Sequence, residues 1–595
     1  MLKETLENLI KESLQRAIDS GNLGTLTTVP ETIGIEFTKN PEHGDRAISV
    51  AMKLTKEANL PPRKIAEAIK EQLTKNSEGF QKIEIAGPGF INLTLDWDLL
   101  NQSISYIIQK GADYGQLSSE QRPNKNFRKI LLEYVSANPT GDLHLGHGRQ
   151  AVLGSSIANL LRWAGYQVET EFYINDAGVQ IEKLANSARQ ALLIETGKIQ
   201  KEDYDIENNY PLESMQEFIS LKIFLEHCQN KDSNIEELSL EFFGEIAKKI
   251  FLETQKELLS NIHVVFDRWY SEKSNLHQKD LVSKTCQLLD QNGTTYLQDG
   301  ALWFKAKEYG DERDRVLKKA DGNYTYLAAD FAYHLDKLSR GHDLLINLWG
   351  ADHHGQIPGM KGGLKALGMD SERLEIILVQ LVSLAKDGQE VKMSKRKGDI
   401  VLVRDLVDEV GVDAFRYFLV ESQANNRMVF DLELASKQDK DNPVYYIQYA
   451  HARCSSILRN ICNSRIDQEN GKEIPALLTE DELLKWIEIF KSDNKLFSRA
   501  FKTCTTDELA SSKALILSLV NFPEEIKDSA LIYSPYKIAN YLKNIAGLFH
   551  QFYSHNRVIC DDIDLMKARL AIVLACKITI ANALKILAIS APEKM

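Results

Sequence analysis

Two short runs carry side chains suited to handling phosphate: His144-Leu145-Gly146-His147 and Lys392-Met393-Ser394-Lys395. Two imidazoles opening a helix can each offer an N–H to a phosphate oxygen, and a helix N-terminus favours anions. Gly146 between them lets a base or ribose come close to the backbone. Such donors stabilise charge growing at a phosphorus centre and do not attack it. An H-x-x-H spacing can also hold a metal, but no H-E-x-x-H glutamate is present and no cysteine lies near. In the second run Lys392, Lys395, Arg396 and Lys397 stand between Gly388 and Gly398. That pattern reads either as a solvated basic loop or as a clamp on a phosphate tail, hinged at its glycines. A third run, Gly350-Ala351-Asp352-His353-His354, offers a carboxylate to ribose hydroxyls and a glycine beside a purine.

The elements that must position these runs alternate between strand and helix. KILLEYVS is a continuous apolar run suited to a buried parallel strand. A loop with Asn138, Pro139 and Gly141 follows, then a helix over HGRQAVLGSSIANLLRWA stopped by Gly165, then the strand QVETEFYIN. In such sheets ligands bind beyond the carboxyl ends of the strands, where His144 falls. The rhythm returns with a helix at LAADFAYHLDKL, a strand at DLLINLWG, a glycine-interrupted helix and one strand at LEIILVQLVSL, which leads into the Lys392 loop.

This predicts an α/β chain: a Rossmann-type parallel-sheet catalytic domain at 125–405, with a mostly helical insertion at about 180–320. A small N-terminal α/β domain is expected at 1–115, where Pro61-Pro62 starts a helix and KIEIAGPGFINLTL reads as a hairpin. Beyond about 410 the strand signals fade, and an all-helical domain is expected at 410–595.

The N-terminal stretch carries acidic residues and no unbroken apolar core, so no signal peptide is expected. The apolar stretch LAIVLACKITIANALKILAIS is interrupted by Lys577 and Lys585, so a buried helix is expected and no membrane partner. Seven scattered cysteines without a C-x-x-C suggest reduced, structural thiols and a cytoplasmic setting. The net charge of −12 argues against a nonspecific nucleic-acid coat but leaves room for a local basic face.

The two signature runs together, in this order, resemble the class I aminoacyl-tRNA synthetases. The resemblance sharpens along EYVSANPTGDLHLGHGR, FYINDAG, YTYLAADFAYHLDKL, WGADHHG, KMSKRKG, NPVYYIQYAHAR and SAPEKM, which together look like arginyl-tRNA synthetase. It implies that L-arginine is activated by ATP, accompanied by Mg2+ and without a protein-held metal, then transferred to tRNA-Arg by a monomer. It also implies that bound tRNA is needed before activation. By the same resemblance His144, His147, Lys392 and Lys395 are catalytic, and Gly146, Gly350, Asp352 and His353 bind ATP. Asp330 would bind the guanidinium with Tyr326 beside it, Glu133 would add a second carboxylate, and Asn138 would hold the α-amino group. Tyr326 and Asp330, four apart, share a helical face, and a planar cation calls for such a carboxylate. Phe90 and Asn92 in the N-terminal unit, and Tyr446 and Tyr449 in the C-terminal one, would meet tRNA bases. Leu145 stands where isoleucine is more usual, and Lys395 is a lysine that many arginyl enzymes lack. The alternatives are another nucleotidyl-transfer enzyme sharing the first loop, or a non-catalytic tRNA-binding relative.

Overall fold

In the computed structural model the described residues are 2–38, 43–75, 79–212, 215, 238–386, 389–391, 401–462, 465–466, 473–474 and 478–595. At the N-terminus, Ile35–Phe37, Arg46–Ile48, Phe90–Leu95 and Phe80–Ala86 pair side by side, all antiparallel, in that order. Helices Leu2–Asp19 and Pro62–Lys75 bury Leu6, Ile10, Leu14, Ile65, Ile69 and Leu73 with the sheet residues Ile91 and Leu93. The four-residue spacing of those apolar positions is why both segments are helices.

The central sheet has five parallel strands in the order Leu374–Val379, Leu344–Gly350, Lys129–Glu133, Gln167–Ile174 and Arg268–Ser271. Ile130, Leu131 and Leu132 are all buried because helices cover both faces. Strand order reverses beside Lys129–Glu133, so the chain leaves the sheet there on opposite sides of a cleft. Helix Leu145–Trp163 returns across one face, with Gly154 lying directly against the Tyr134 ring.

Three segments depart from the sequence reading. The stretch read as a mostly helical insertion holds helices Val179–Glu195 and Leu240–Asn261. It also supplies the fifth sheet strand, Arg268–Ser271, and an antiparallel sheet of Arg315–Lys318, Ala301–Phe304 and Thr295–Gln298. LEIILVQLVSL, read as one strand, breaks at Gln380–Leu381 into Leu374–Val379 and Val382–Lys386, which belong to different sheets. Met428–Asp431, inside the stretch read as all-helical, pairs in parallel with Val382–Lys386. These five missed strands are only four residues long, and the pair Arg465–Ile466 and Glu473–Ile474, also inside the stretch read as all-helical, only two each, too short for alternation to show against their surroundings.

From Pro443 the chain is dominated by helices, the longest being Pro443–Cys462, Pro535–His555 and Ile563–Ile586. Ile563–Ile586 is buried on most sides, as its largely apolar composition requires, and the interrupting Lys577 reaches Glu593 at 2.6 Å. No helix among the described residues is long and apolar enough to cross a membrane. The described cysteines are free thiols.

A Cβ added at Gly154 would stand 2.2 Å from the Tyr134 ring. Gly154→Ala is therefore expected to lower stability by about 1–3 kcal/mol despite alanine's better helix propensity, read as a shifted urea midpoint.

Candidate active site

His144 is the N-cap of helix Leu145–Trp163. Its Nδ1 accepts the Gly146 N–H at 3.1 Å, and its own N–H is donated to His147 Nδ1 at 3.4 Å. The two rings stack at 3.7 Å. A neutral imidazole that accepts at Nδ1 carries its proton on Nε2, so the cap sets both rings as Nε2–H donors. A Cβ at Gly146 would lie 3.0 Å from the His144 ring and press on it. Backbone pairing holds this loop to the segment after the Lys392 run: Leu145 N–H donates to Val401 O at 3.0 Å, and Val403 N–H to Leu143 O at 2.9 Å. The stem of the second signature loop therefore lies against the first. Lys392, Lys395, Arg396 and Lys397 themselves lie outside the described residues.

Glu133 ends its strand in parallel register with Asn347. The Lys337 ammonium, fully buried, is bound by Glu133 Oε2 and donates to Asn347 Oδ1 at 3.1 Å. It lies 4.1 Å from the centre of the Tyr333 ring. Asn347 Nδ2 donates in turn to His334 Nε2 at 2.7 Å, and His334 Nδ1 donates to Asp330 O at 2.7 Å. Burial and the Lys337 charge pull the His334 pKa down to about 3, which matches this neutral tautomer. Ser136 Oγ donates to Glu133 Oε1 at 3.0 Å. To reach it the loop passes through left-handed backbone at Val135 and Ser136, a costly conformation for a β-branched residue.

The helix Tyr326–Ser339 thus presents Asp330 beside a Glu133 already tied down by Lys337. The Asp330 pKa is pushed up to about 7, first by burial and then by the charges of Glu133 and Glu272, with Lys337 opposing. Glu272 is buried and bonds His277 Nε2 at 3.0 Å, and Tyr173 faces the same carboxylates, its hydroxyl pKa raised by burial and by Glu272. Three carboxylates with one lysine between them leave a pocket short of positive charge, which suits a planar cation. Tyr326, one turn before Asp330, is 77% exposed at the start of its helix.

Asn138 donates to Gln180 Oε1 at 2.6 Å on the neighbouring helix. Gly350 ends strand Leu344–Gly350, and a Cβ there would stand 2.5 Å from Asp352 Oδ1. Asp352 and His353 are both exposed, 3.7 Å apart, in the short helix Ala351–Gln356. Among the described residues no group of three or more His, Cys, Asp or Glu side chains gathers to hold a metal.

Away from the cleft, Phe90 and Asn92 point to one face of the N-terminal sheet. Phe90 is half-buried and Asn92 only 7% exposed, which leaves Asn92 little surface for a base. Tyr446 and Tyr449 flank His550 with ring centres 4.6 and 5.8 Å away, Tyr446 half-buried and Tyr449 exposed.

Sequence reasoning missed Lys337, Asn347, His334, Glu272 and Tyr173. Lys337 had a legible signal: it lies seven residues after Asp330, four after Tyr333 and three after His334, on one helical face with them. Glu272 had none, because only sheet pairing of a four-residue strand brings it to the pocket.

A parallel sheet with paired histidines capping the helix after its first strand, and a second loop stem zipped to that cap, defines a class I aminoacyl-tRNA synthetase. Family models agree along the chain: "Arginyl tRNA synthetase N terminal domain" matches residues 4–95, "tRNA synthetases class I (R), catalytic domain" 107–445 and "DALR anticodon binding domain" 447–595. The arginine–tRNA ligase of Oceanobacillus iheyensis is 39% identical over 594 residues, covering 100% of this chain and 99% of that protein. Arginine–tRNA ligase 1 of Halalkalibacterium halodurans is 40% identical over 597 residues, with 100% and 99% covered. Arginyl-tRNA synthetase of Thermus thermophilus has the same fold, with a TM-score of 0.70 at 20% identity and 100% of both chains covered. This chain belongs to the arginyl-tRNA synthetase family.

The raised Asp330 pKa makes a stability prediction. The folded state binds this proton more tightly than the unfolded chain does, so stability falls as pH rises from about 4 through about 7. Asp330→Asn is expected to raise the denaturation midpoint at about pH 8 and to leave it nearly unchanged at about pH 4.5.

Proposed function

We propose that this site makes arginyl-tRNA in two steps. The carboxylate of L-arginine attacks the α-phosphate of ATP, pyrophosphate leaves, and arginyl-adenylate forms. The 3′-terminal ribose hydroxyl of tRNA-Arg then attacks the acyl carbon, and AMP leaves. The observation that carries the arginine assignment is the carboxylate cluster of Glu133, Asp330 and Glu272, in which the buried Lys337 pairs with Glu133. A guanidinium entering it would pair with Asp330 and Glu272, while Tyr326 closes over it and Asn138 takes the α-amino group.

The Nε2–H groups of His144 and His147 stabilise the charge that grows at the α-phosphate. Lys392 and Lys395, with Lys397 near them, draw off the pyrophosphate. Gly146 and Gly350 make room for the adenosine, Asp352 accepts from its ribose, and His353 stands beside it. Mg2+ arrives with ATP as part of the substrate. Tyr446 and Tyr449 stack on bases of tRNA-Arg, and Phe90, half-buried where Asn92 is buried, is the better placed of the two to meet it at the N-terminal unit. The units read at 1–115, 125–405 and 410–595 divide the work into tRNA contact, chemistry and anticodon contact. The enzyme works as a monomer in the cytoplasm, with no membrane partner.

The test is arginine-dependent exchange of pyrophosphate into ATP, with and without tRNA-Arg and with lysine as control. Exchange is expected only with arginine and tRNA-Arg together. Exchange with lysine, or none in folded enzyme that binds tRNA, contradicts the assignment. His144→Ala should slow exchange by about 10²–10³-fold and leave tRNA affinity within about twofold; equal loss of both would remove His144 from the phosphate site. Below about pH 7 Asp330 takes up a proton and offers one charge fewer, so the KM for arginine should fall as pH rises through that value.

A further inference from the structure

Gln255 lies on helix Leu240–Asn261 with its side chain buried, 2% exposed. Its Nε2 donates to two carbonyls of one loop, Asn138 O at 3.1 Å and Gly141 O at 2.9 Å. Those carbonyls bracket Pro139 and Thr140, at the crest between strand Lys129–Glu133 and the helix capped by His144. Because the Asn138 side chain is engaged with Gln180, the Gln255 amide closes the main chain of the loop. The same loop carries left-handed Val135 and Ser136, so its shape must be imposed from outside.

The far end of the Gln255 helix is held just as firmly. Arg416, fully buried, donates through Nη1 to Ile262 O at 2.7 Å, where that helix is capped. Its Nε donates to Leu587 O at 2.8 Å, the cap of helix Ile563–Ile586, and its Nη2 to Ser155 Oγ at 3.0 Å. Asn159 Nδ2 donates to Ile586 O at 3.2 Å, and His263 Nδ1 meets Ala588 O at 3.1 Å. Three successive carbonyls ending the last long helix are thus each bound by a side chain from outside residues 447–595, the stretch matched by the anticodon-binding family model, and a cation suits such a helix end. Ile262 lies two helical turns, about 10 Å, beyond Gln255.

We propose that Gln255 is a positioning residue for arginine, and that its helix is a strut through which the seat of the anticodon-binding unit sets the Asn138–Gly141 loop. The inference rests on the assignment of Asn138 to the α-amino group. Gln255 touches no reacting atom; it fixes where Asn138 stands.

The test is steady-state pyrophosphate exchange by the full chain with saturating tRNA-Arg. Gln255→Met keeps the length and loses both donors. The KM for arginine should rise about tenfold, with the KM for ATP, kcat and the melting midpoint near wild type. A merely structural role would lower the active fraction and leave the arginine KM alone. Arg416→Lys should give the same selective rise; His263→Ala replaces it if that variant does not fold. The double variant should rise no further than Gln255→Met, since both act through one amide. An unchanged arginine KM in Gln255→Met, while Asn138→Ala raises it, overturns the proposal. So do effects that multiply in the double variant. No effect of Asn138→Ala overturns the underlying assignment instead.

Discussion

The Lys337 ammonium, buried against Glu133, Asn347 and the Tyr333 ring, is the interaction on which the site depends. A charge taken out of water is tolerated only when its partners are close and complete. Lys337 meets that condition by joining three elements: its own helix and the adjacent parallel strands that present Glu133 and Asn347. The chain of bonds continues through His334 to the Asp330 backbone carbonyl, so the helix turn that carries Asp330 is tied to the strands that present Glu133 and Asn347. Remove the lysine, and a carboxylate is left buried and unpaired at the floor of the pocket.

What the lysine leaves undone is as important. It satisfies Glu133, while Asp330 has its pKa pushed up to about 7, first by burial and then by the like charges of Glu133 and Glu272. The cluster is therefore under electrostatic load that, on the proposed reading, a guanidinium would relieve. On that reading an uncharged analogue would leave the same carboxylates desolvated and unanswered, and binding alone would discriminate against it. On the other side of the cleft the histidine cap follows a different logic. Backbone N–H groups of the helix start consume the Nδ1 lone pairs and turn Nε2–H donors outward. One wall of the site is thus prepared for a cation and the other for an anion.

Much of this was legible in the residues. The strand–loop–helix order around His144, the helix carrying Tyr326 and Asp330, and the buried strand before Gly350 follow from apolar runs and glycine stops, and each is present. The elements that escaped notice are short. Arg268–Ser271 and Met428–Asp431 have only four residues each, and their identity comes from the neighbours they pair with. The break at Gln380–Leu381 was hidden because two strands of different sheets join without a turn-forming residue. Asn347 joins the cluster through its register with Glu133, and Glu272 joins it by following the strand Arg268–Ser271, and no local pattern encodes either.

The central claim is that a preset cluster of carboxylates, and not shape alone, selects the amino acid. Calorimetric titration of the enzyme, with tRNA-Arg bound, against arginine and against citrulline tests it most directly, because the two differ little except in charge. The account predicts that arginine binds at least about 100-fold more tightly at about pH 8 and that the margin shrinks as pH falls below about 7. Comparable affinity for the two, or a margin that does not change with pH, would contradict it.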